Sequence, residues 1–268
     1  MGILSLAAFK VAAFAMGRGP LALPDCPWLQ ELPRFGAVLS FPIIPRAVFK
    51  VSKGATADAL SSSAPTTPST FLYTYCCKAG GATVAAALAV WPVLPQLLNH
   101  WFYALCLSLS LGAIWDFWCL VAVLWFGVEA APSFDKPWLS TSFADYWSRR
   151  WNLTTTYMLR VLIYEPIMEG RFATFAFSGL WHLLIFYYAT GLVTYHWFLF
   201  FSLQAPIMAA EAILVKWAKQ RQLLLRRPAA IFLTNFLLIV VARPLFFGPC
   251  DWSGMCTAMF DNVKGYFV

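Results

Sequence analysis

Long apolar runs separated by short polar stretches set the architecture of this chain. Five of them, Ala79 to Leu98, Trp101 to Val128, Phe172 to Thr190, Leu192 to Leu214 and Ala229 to Phe247, reach or approach the roughly 20 residues that a bilayer-spanning helix needs. A shorter sixth, Ile3 to Gly17, also reads as a span. It lacks a basic start, carries Lys10 inside the apolar stretch and has no small-residue cleavage site, which argues against a signal peptide. Gly36 to Phe49 is too short to cross and is broken by Pro42 and Pro45, so an interfacial segment is expected there. Ser52 to Thr70 is rich in Ser, Thr, Ala and Pro, has no apolar period and reads as a flexible linker, 52–70.

One polar stretch keeps a helical period. Ser142 followed by Asp145 fits a capping-box pattern, Pro132 and Pro137 keep the approach extended, and a helix is predicted to start near Phe143. On that helix Asp145, Arg149, Asn152, Thr156 and Arg160 form a polar stripe, with Phe143, Trp147, Trp151, Met158 and Val161 over much of the remainder. The period by itself fits a helix lying flat in the headgroup region. The expected architecture is all-α: a single domain over 1–268, with about six transmembrane helices and one amphipathic interfacial helix.

Composition sharpens this picture. Hydrophobic residues make up 60% of the chain and charged residues 12%, where a soluble domain has about a quarter charged. The net charge of +7 is distributed by topology and does not suggest a nucleic-acid partner. Of the 19 Lys and Arg, six lie between Arg18 and Lys78, five between Lys136 and Arg171, and five between Lys216 and Arg227. Neighbouring clusters are separated by two expected spans, so all three face one side, the cytoplasm by the positive-inside rule. They read as topological signal and attraction to anionic membrane lipids, or as an electrostatic approach for an anionic substrate.

The joins near Asn99-His100 and Gly191 then become short turns on the far side, and His100 in such a turn receives no role. Seven scattered cysteines show no C-x-x-C and no His partners at metal spacing, which speaks against zinc. Cys250 and Cys256 fall on the far side, where an oxidising compartment would let them pair.

Candidate chemistry is sparse and concentrated. Arg149-Arg150-Trp151-Asn152 packs two cations, an indole and an amide into one turn, and guanidinium forks suit phosphates. His182 lies about ten residues into the span that begins at Phe172, one turn after Ser178 and Gly179. Ionisable groups at membrane depth are costly and point to function, although a membrane histidine also serves as a bond across helices. His196, between Tyr195 and Trp197, fits an interfacial aromatic belt. Asp116 lies well inside a hydrophobic segment and suits a structural partner or a tunnel wall equally.

The stretch Gly127 to Pro166, GVEAAPSFDKPWLSTSFADYWSRRWNLTTTYMLRVLIYEP, resembles the signature region of plant wax synthases, long-chain-alcohol O-fatty-acyltransferases of the membrane-bound O-acyltransferase superfamily. The likeness continues through Ser178-Gly179-Leu180-Trp181-His182, through Glu211, and on to Leu245-Phe246-Phe247. Phe9 to Pro24 resembles the family's third hydrophobic segment, which implies one or two upstream spans beyond this chain. Ser148, Leu183 and Gln204 stand where that family usually has Gly, Glu and His.

The resemblance implies fatty acyl transfer from acyl-CoA to an alcohol hydroxyl, in a catalytic tunnel enclosed by the helices and in the endoplasmic reticulum. His182 would be the base and Asn152 the group that orients the acyl carbonyl or holds its oxyanion. Arg149, Arg150, Trp147 and Trp151 would bind acyl-CoA, which is a substrate, and no cofactor or metal is implied. A sterol is the alternative acceptor. An inactive lipid-binding relative, or less readily a transporter, remains open from the residues alone.

Overall fold

The computed structural model describes residues 2–22, 31–51, 67–89, 94–167, 170–223, 225–256 and 258. Regular structure among them is helical, apart from one isolated antiparallel bridge between Pro45 and Ala130. In chain order the α-helices are α1 (Gly2–Ala15), α2 (Leu32–Ser40), α3 (Arg46–Val51), α4 (Pro68–Ala89), α5 (Gln96–Phe126), α6 (Phe143–Asp145), α7 (Leu153–Leu159), α8 (Arg171–Thr190), α9 (His196–Ser202), α10 (Gln204–Gln220), α11 (Arg227–Ala242) and α12 (Gly248–Trp252). Three π-helical turns interrupt them, at Tyr146–Arg150, Arg160–Tyr164 and Arg243–Phe247.

Four helices among the described residues combine the length and apolarity of a membrane crossing: Gln96–Phe126, Arg171–Thr190, His196–Gln220 and Arg227–Trp252. The protein is an all-α membrane protein. The two further spans expected from sequence take another form. Helix α1 has 14 residues, about 21 Å, short of a hydrocarbon core of roughly 30 Å, and the positive φ angles of Gly17 and Gly19 turn the chain just beyond it. Ala79 to Leu98 is not one helix: α4 starts earlier, at Pro68, and stops at Ala89, while α5 begins at Gln96. Proline explains both starts, because Pro68 opens α4 at the position where its missing N–H is no loss, and Pro95 immediately precedes α5. Thr67 caps α4 by accepting from the Thr70 N–H at 3.3 Å. Of the expected 52–70 linker, residues 52–66 lie outside the described residues, and 68–70 are helix.

The chain forms two compact units. The first comprises Met1–Gly80, Ser108–Pro137 and Trp147–Glu169. Its core gathers Leu21, Val38, Ile43, Phe71, Cys119, Ala122, Val128 and Ala130. The 41–45 stretch, expected at the interface, is core instead: Ile43 and Ile44 are fully buried. Backbone bonds from Arg46 N–H to Glu129 O (2.8 Å) and from Ala131 N–H to Ile44 O (2.9 Å) stitch it to the segment after α5, satisfying polar groups that the prolines leave out of helices.

Lys10 is fully buried and donates to Val38 O (2.6 Å) and Phe41 O (2.5 Å), so its N–H groups satisfy carbonyls at the C-terminal end of α2. Asp116 finds a structural partner in Lys78 at 2.6 Å. The Lys78 stem lies over Gly112, where an added Cβ would meet its Cδ at 3.0 Å.

The second unit comprises Gly81–Leu107, Trp138–Tyr146 and Gly170–Val268. Phe186, Trp197, Cys250 and Cys256 form its buried cluster, and both cysteines are free thiols. Helices α8 and α9 pack closely at Gly179, where a Cβ would stand 2.8 Å from Phe198 O. Only glycine permits that approach.

Candidate active site

The signature region is not one continuous amphipathic helix. Ser142 caps α6 as expected, its hydroxyl accepting from the Asp145 N–H at 2.9 Å, but the helix then opens into the π-turn Tyr146–Arg150. Asn152 adopts left-handed geometry, φ 41° and ψ 60°, and α7 starts afresh after it. The wider turn and the reversal at Asn152 change the helical phase, so Asp145, Arg149, Asn152, Thr156 and Arg160 do not form a single stripe. The Thr156 hydroxyl ties the break together by donating to Trp147 O (3.2 Å) and Trp151 O (3.3 Å).

Asn152 suits this position because a short amide tolerates positive φ. Its Oδ1 accepts from the Thr155 N–H at 3.2 Å and caps α7. The Nδ2 donor has no hydrogen-bond partner among the described residues. The capping oxygen therefore fixes the side chain and leaves an N–H pair for another acceptor.

The segment before the helix braces this turn. Leu153 N–H donates to Ser133 O (2.8 Å), Asp135 N–H to Arg150 O (3.0 Å), and Ser133 Oγ lies 2.6 Å from Thr154 Oγ1. Arg150 is part of the brace, donating to Asp135 O at 3.2 Å and standing 3.9 Å from its carboxylate. Arg149 is exposed and no anion among the described residues pairs with it. The two arginines, equivalent in sequence, are thus separated by the structure. Trp151 packs edge-on against Phe134 (5.3 Å) and near Trp147 (6.4 Å). Behind them Tyr157 packs on Phe49 at 5.3 Å, and burial pushes its phenol above the ordinary range, which keeps it neutral. Trp147, Arg149, Arg150, Trp151 and Asn152 all belong to the first unit.

His182 belongs to the second unit. Its Nδ1 lies 2.8 Å from Ser178 O, one turn back on α8. A carbonyl only accepts, so Nδ1 carries the proton and Nε2 keeps the basic lone pair. The bond is made within its own helix and not across helices, and Nε2 has no hydrogen-bond partner among the described residues. Phe201 of α9 stacks on the ring at 3.9 Å, and Trp197 lies 6.1 Å away, itself stacked on Phe246 at 4.6 Å and donating to Phe246 O at 2.9 Å. An aromatic wall thus holds the imidazole in one plane.

Two histidines fall outside this constellation. His196 bonds the Thr194 hydroxyl at 2.7 Å and stacks on Tyr195, in keeping with a belt position. His100 lies within α5, not in a turn; it is buried, 2.9 Å from Asp251 Oδ2 and stacked on Phe247. Pro95, a helix-start signal, is the feature that would have placed it correctly.

No profile of a known protein family matches the chain. Individual relatives do. The chain is 32% identical to acyl-CoA–sterol O-acyltransferase 1 of Arabidopsis thaliana over 68% of its length and 54% of the relative. To probable long-chain-alcohol O-fatty-acyltransferase 9 of the same plant it is 34% identical, over 48% of the chain and 42% of the relative. Probable long-chain-alcohol O-fatty-acyltransferase 3 aligns with 98% of the chain and 78% of its own length at 27% identity. The chain is thus similar to plant O-acyltransferases of the long-chain-alcohol and sterol types. The chain spans about half the length of the first two of these relatives. Within the second unit His182 keeps an unprotonated Nε2, and within the first Asn152 keeps an amide donor and Arg149 an exposed guanidinium.

Proposed function

We propose that this protein transfers a fatty acyl group from acyl-CoA to the hydroxyl of a long-chain alcohol, with His182 as the general base. The observation that carries this reading is the His182 Nδ1 bond to Ser178 O, because it leaves Nε2 to take a proton. The alcohol oxygen attacks the thioester carbonyl as Nε2 accepts the hydroxyl proton. The C–S bond then breaks, the proton passes to the CoA thiolate, and ester and CoA leave. General-base catalysis by a positioned side chain contributes typically 10²- to 10⁴-fold.

In this scheme Asn152 Nδ2 donates to the developing oxyanion, an interaction of about 3 kcal/mol in a dry site. Arg149 meets CoA phosphates, Trp147 and Trp151 line the approach, and Arg150 holds the turn. The scheme keeps the thioester away from water that would hydrolyse it. The scheme uses no resident cofactor or metal. The active face is cytoplasmic, on the side of the basic clusters, and the membrane is that of the endoplasmic reticulum. A sterol is the second reading for the acceptor, favoured by the name of one relative.

Microsomes from ester-deficient yeast expressing the chain, given labelled acyl-CoA with a fatty alcohol or a sterol, test the reading against His182→Ala. Ester from wild type alone is the expected result, and the productive acceptor identifies the substrate class. Equal ester from both proteins would overturn the assignment of His182, and no ester from accumulated wild-type protein would overturn the activity.

A further inference from the structure

Two polar side chains in membrane-spanning helices of the second unit take no part in the reaction above: Glu211 in α10 and Asn235 in α11. Both are spent on the backbone of one short segment. The Phe143 N–H donates to Glu211 Oε1 and Oε2, each at 3.0 Å, and the Ala144 N–H donates to Oε2 at 3.4 Å. Asn235 Nδ2 donates to Trp138 O at 3.0 Å, and also to Ile231 O of its own helix at 2.8 Å.

Helix α6 has three residues, too few to hold itself, since nucleating a turn costs more than its first hydrogen bond returns. Its first N–H groups have no partner within the helix. Ser142 satisfies the N–H of Asp145, and the Thr141 N–H donates to Asp145 Oδ2 at 3.1 Å. The N–H groups of Phe143 and Ala144 are left to Glu211. Hydrogen bonds to a carboxylate are roughly twice as strong as neutral ones, and a carboxylate in a spanning helix is retained where such partners compensate it.

We propose that Glu211 and Asn235 are positioning residues that clamp the Trp138–Ala144 backbone to α10 and α11. The clamp fixes the direction in which the chain leaves Tyr146 and enters the π-turn that carries Trp147, Arg149, Arg150 and then Asn152. Its effect on catalysis rests on the acyltransferase reading; the clamp itself does not.

Two readouts on sealed, cytoplasmic-face-out microsomes separate these dependencies. The first is limited trypsin cleavage after Arg149 and Arg150, expressed relative to cleavage after Lys219 in the last turn of α10 and Arg221 just beyond it. In Glu211→Ala and Asn235→Ala that ratio rises about tenfold, the factor that loss of one strong hydrogen bond confers on an opening equilibrium. Glu211→Gln keeps an acceptor oxygen and falls in between. The second is ester formation per unit of protein, where the alanine variants lose kcat/KM by a similar factor and Glu211→Gln recovers most of it.

An unchanged cleavage ratio overturns the clamp, as does cleavage that rises equally at both places, because that reports general loosening. A raised ratio with kcat/KM unaffected overturns the positioning role. Wild-type protein that makes no ester, with the ratio raised in the variants, refutes the acyltransferase reading and leaves the clamp standing.

Discussion

Replacing Gly179 by alanine tests whether the α8–α9 contact sets the geometry of His182. The added Cβ would lie 2.8 Å from Phe198 O, 3.0 Å from its Cα and 3.1 Å from its ring. Two of these are backbone atoms that no rotamer change moves. Ordinary contact, which begins at 3.4 Å, requires the helices to part by roughly 0.6 Å, and overpacking of this kind costs typically ~1–3 kcal/mol. His182 sits less than one turn along α8 from Gly179, and its ring rests on Phe201 of α9 at 3.9 Å, so the parting separates the imidazole from its wall.

A displacement of about 1 Å at a reacting group costs on the order of 10²-fold in rate, and half of that predicts a loss of about tenfold. The assay is ester formation per unit of folded protein, with the thermal midpoint measured in detergent. Gly80→Ala is the control, since nothing lies within 4 Å of its added Cβ, and removal of a helical glycine is favourable by up to about 1 kcal/mol. Gly179→Ala with wild-type stability and wild-type rate would refute the reasoning.

Asn152→Asp retains an oxygen to cap α7 and deletes the Nδ2 donor, so it should accumulate normally while kcat falls about 10²- to 10³-fold; a fall matched by lost protein would point to the cap alone. Arg149→Ala should raise KM for acyl-CoA several-fold at unchanged stability, whereas Arg150→Ala should also lower the thermal midpoint, because only Arg150 braces Asp135. Breaking the Lys78–Asp116 pair with Asp116→Leu should destabilise by ~3–5 kcal/mol, and adding Lys78→Met should recover most of it; a double variant as unstable as the single would show that the charge itself is not the cost.

The sequence made the membrane class, the span boundaries of α8 and the Ser142 cap readable, because each depends on local composition or on a side chain three residues from its partner. The phase of the signature helix was not readable in this way. Apolar spacing at 3.6 residues per turn implies an unbroken helix, and neither the π-turn at Tyr146–Arg150 nor the left-handed Asn152 leaves a periodic trace. The inequality of Arg149 and Arg150 was also hidden, since it depends on Asp135, fifteen positions upstream of Arg150. Length and proline content place Ile43 and Ile44 at the interface, but Ile44 O accepts from the Ala131 N–H, the Arg46 N–H donates to Glu129 O, and both isoleucines are core. Pairings across tens of residues, such as His100 with Asp251 or Glu211 with Phe143, have no local signature.

Helix α5 acts as a gauge of membrane thickness. Its 31 residues extend about 46 Å, well beyond a hydrocarbon core of roughly 30 Å. Trp101 and Trp125, 24 positions and thus about 36 Å apart along the axis, mark its two ends with residues that favour the water interfaces. Seating both indoles at those interfaces requires a tilt near 34°, inside the range of about 0–40° found for spanning helices. A bilayer a few ångströms thinner would push α5 to the limit of that range, and a thicker one would draw it upright. Bilayer thickness, together with packing against neighbouring helices, therefore constrains the inclination of the longest described helix.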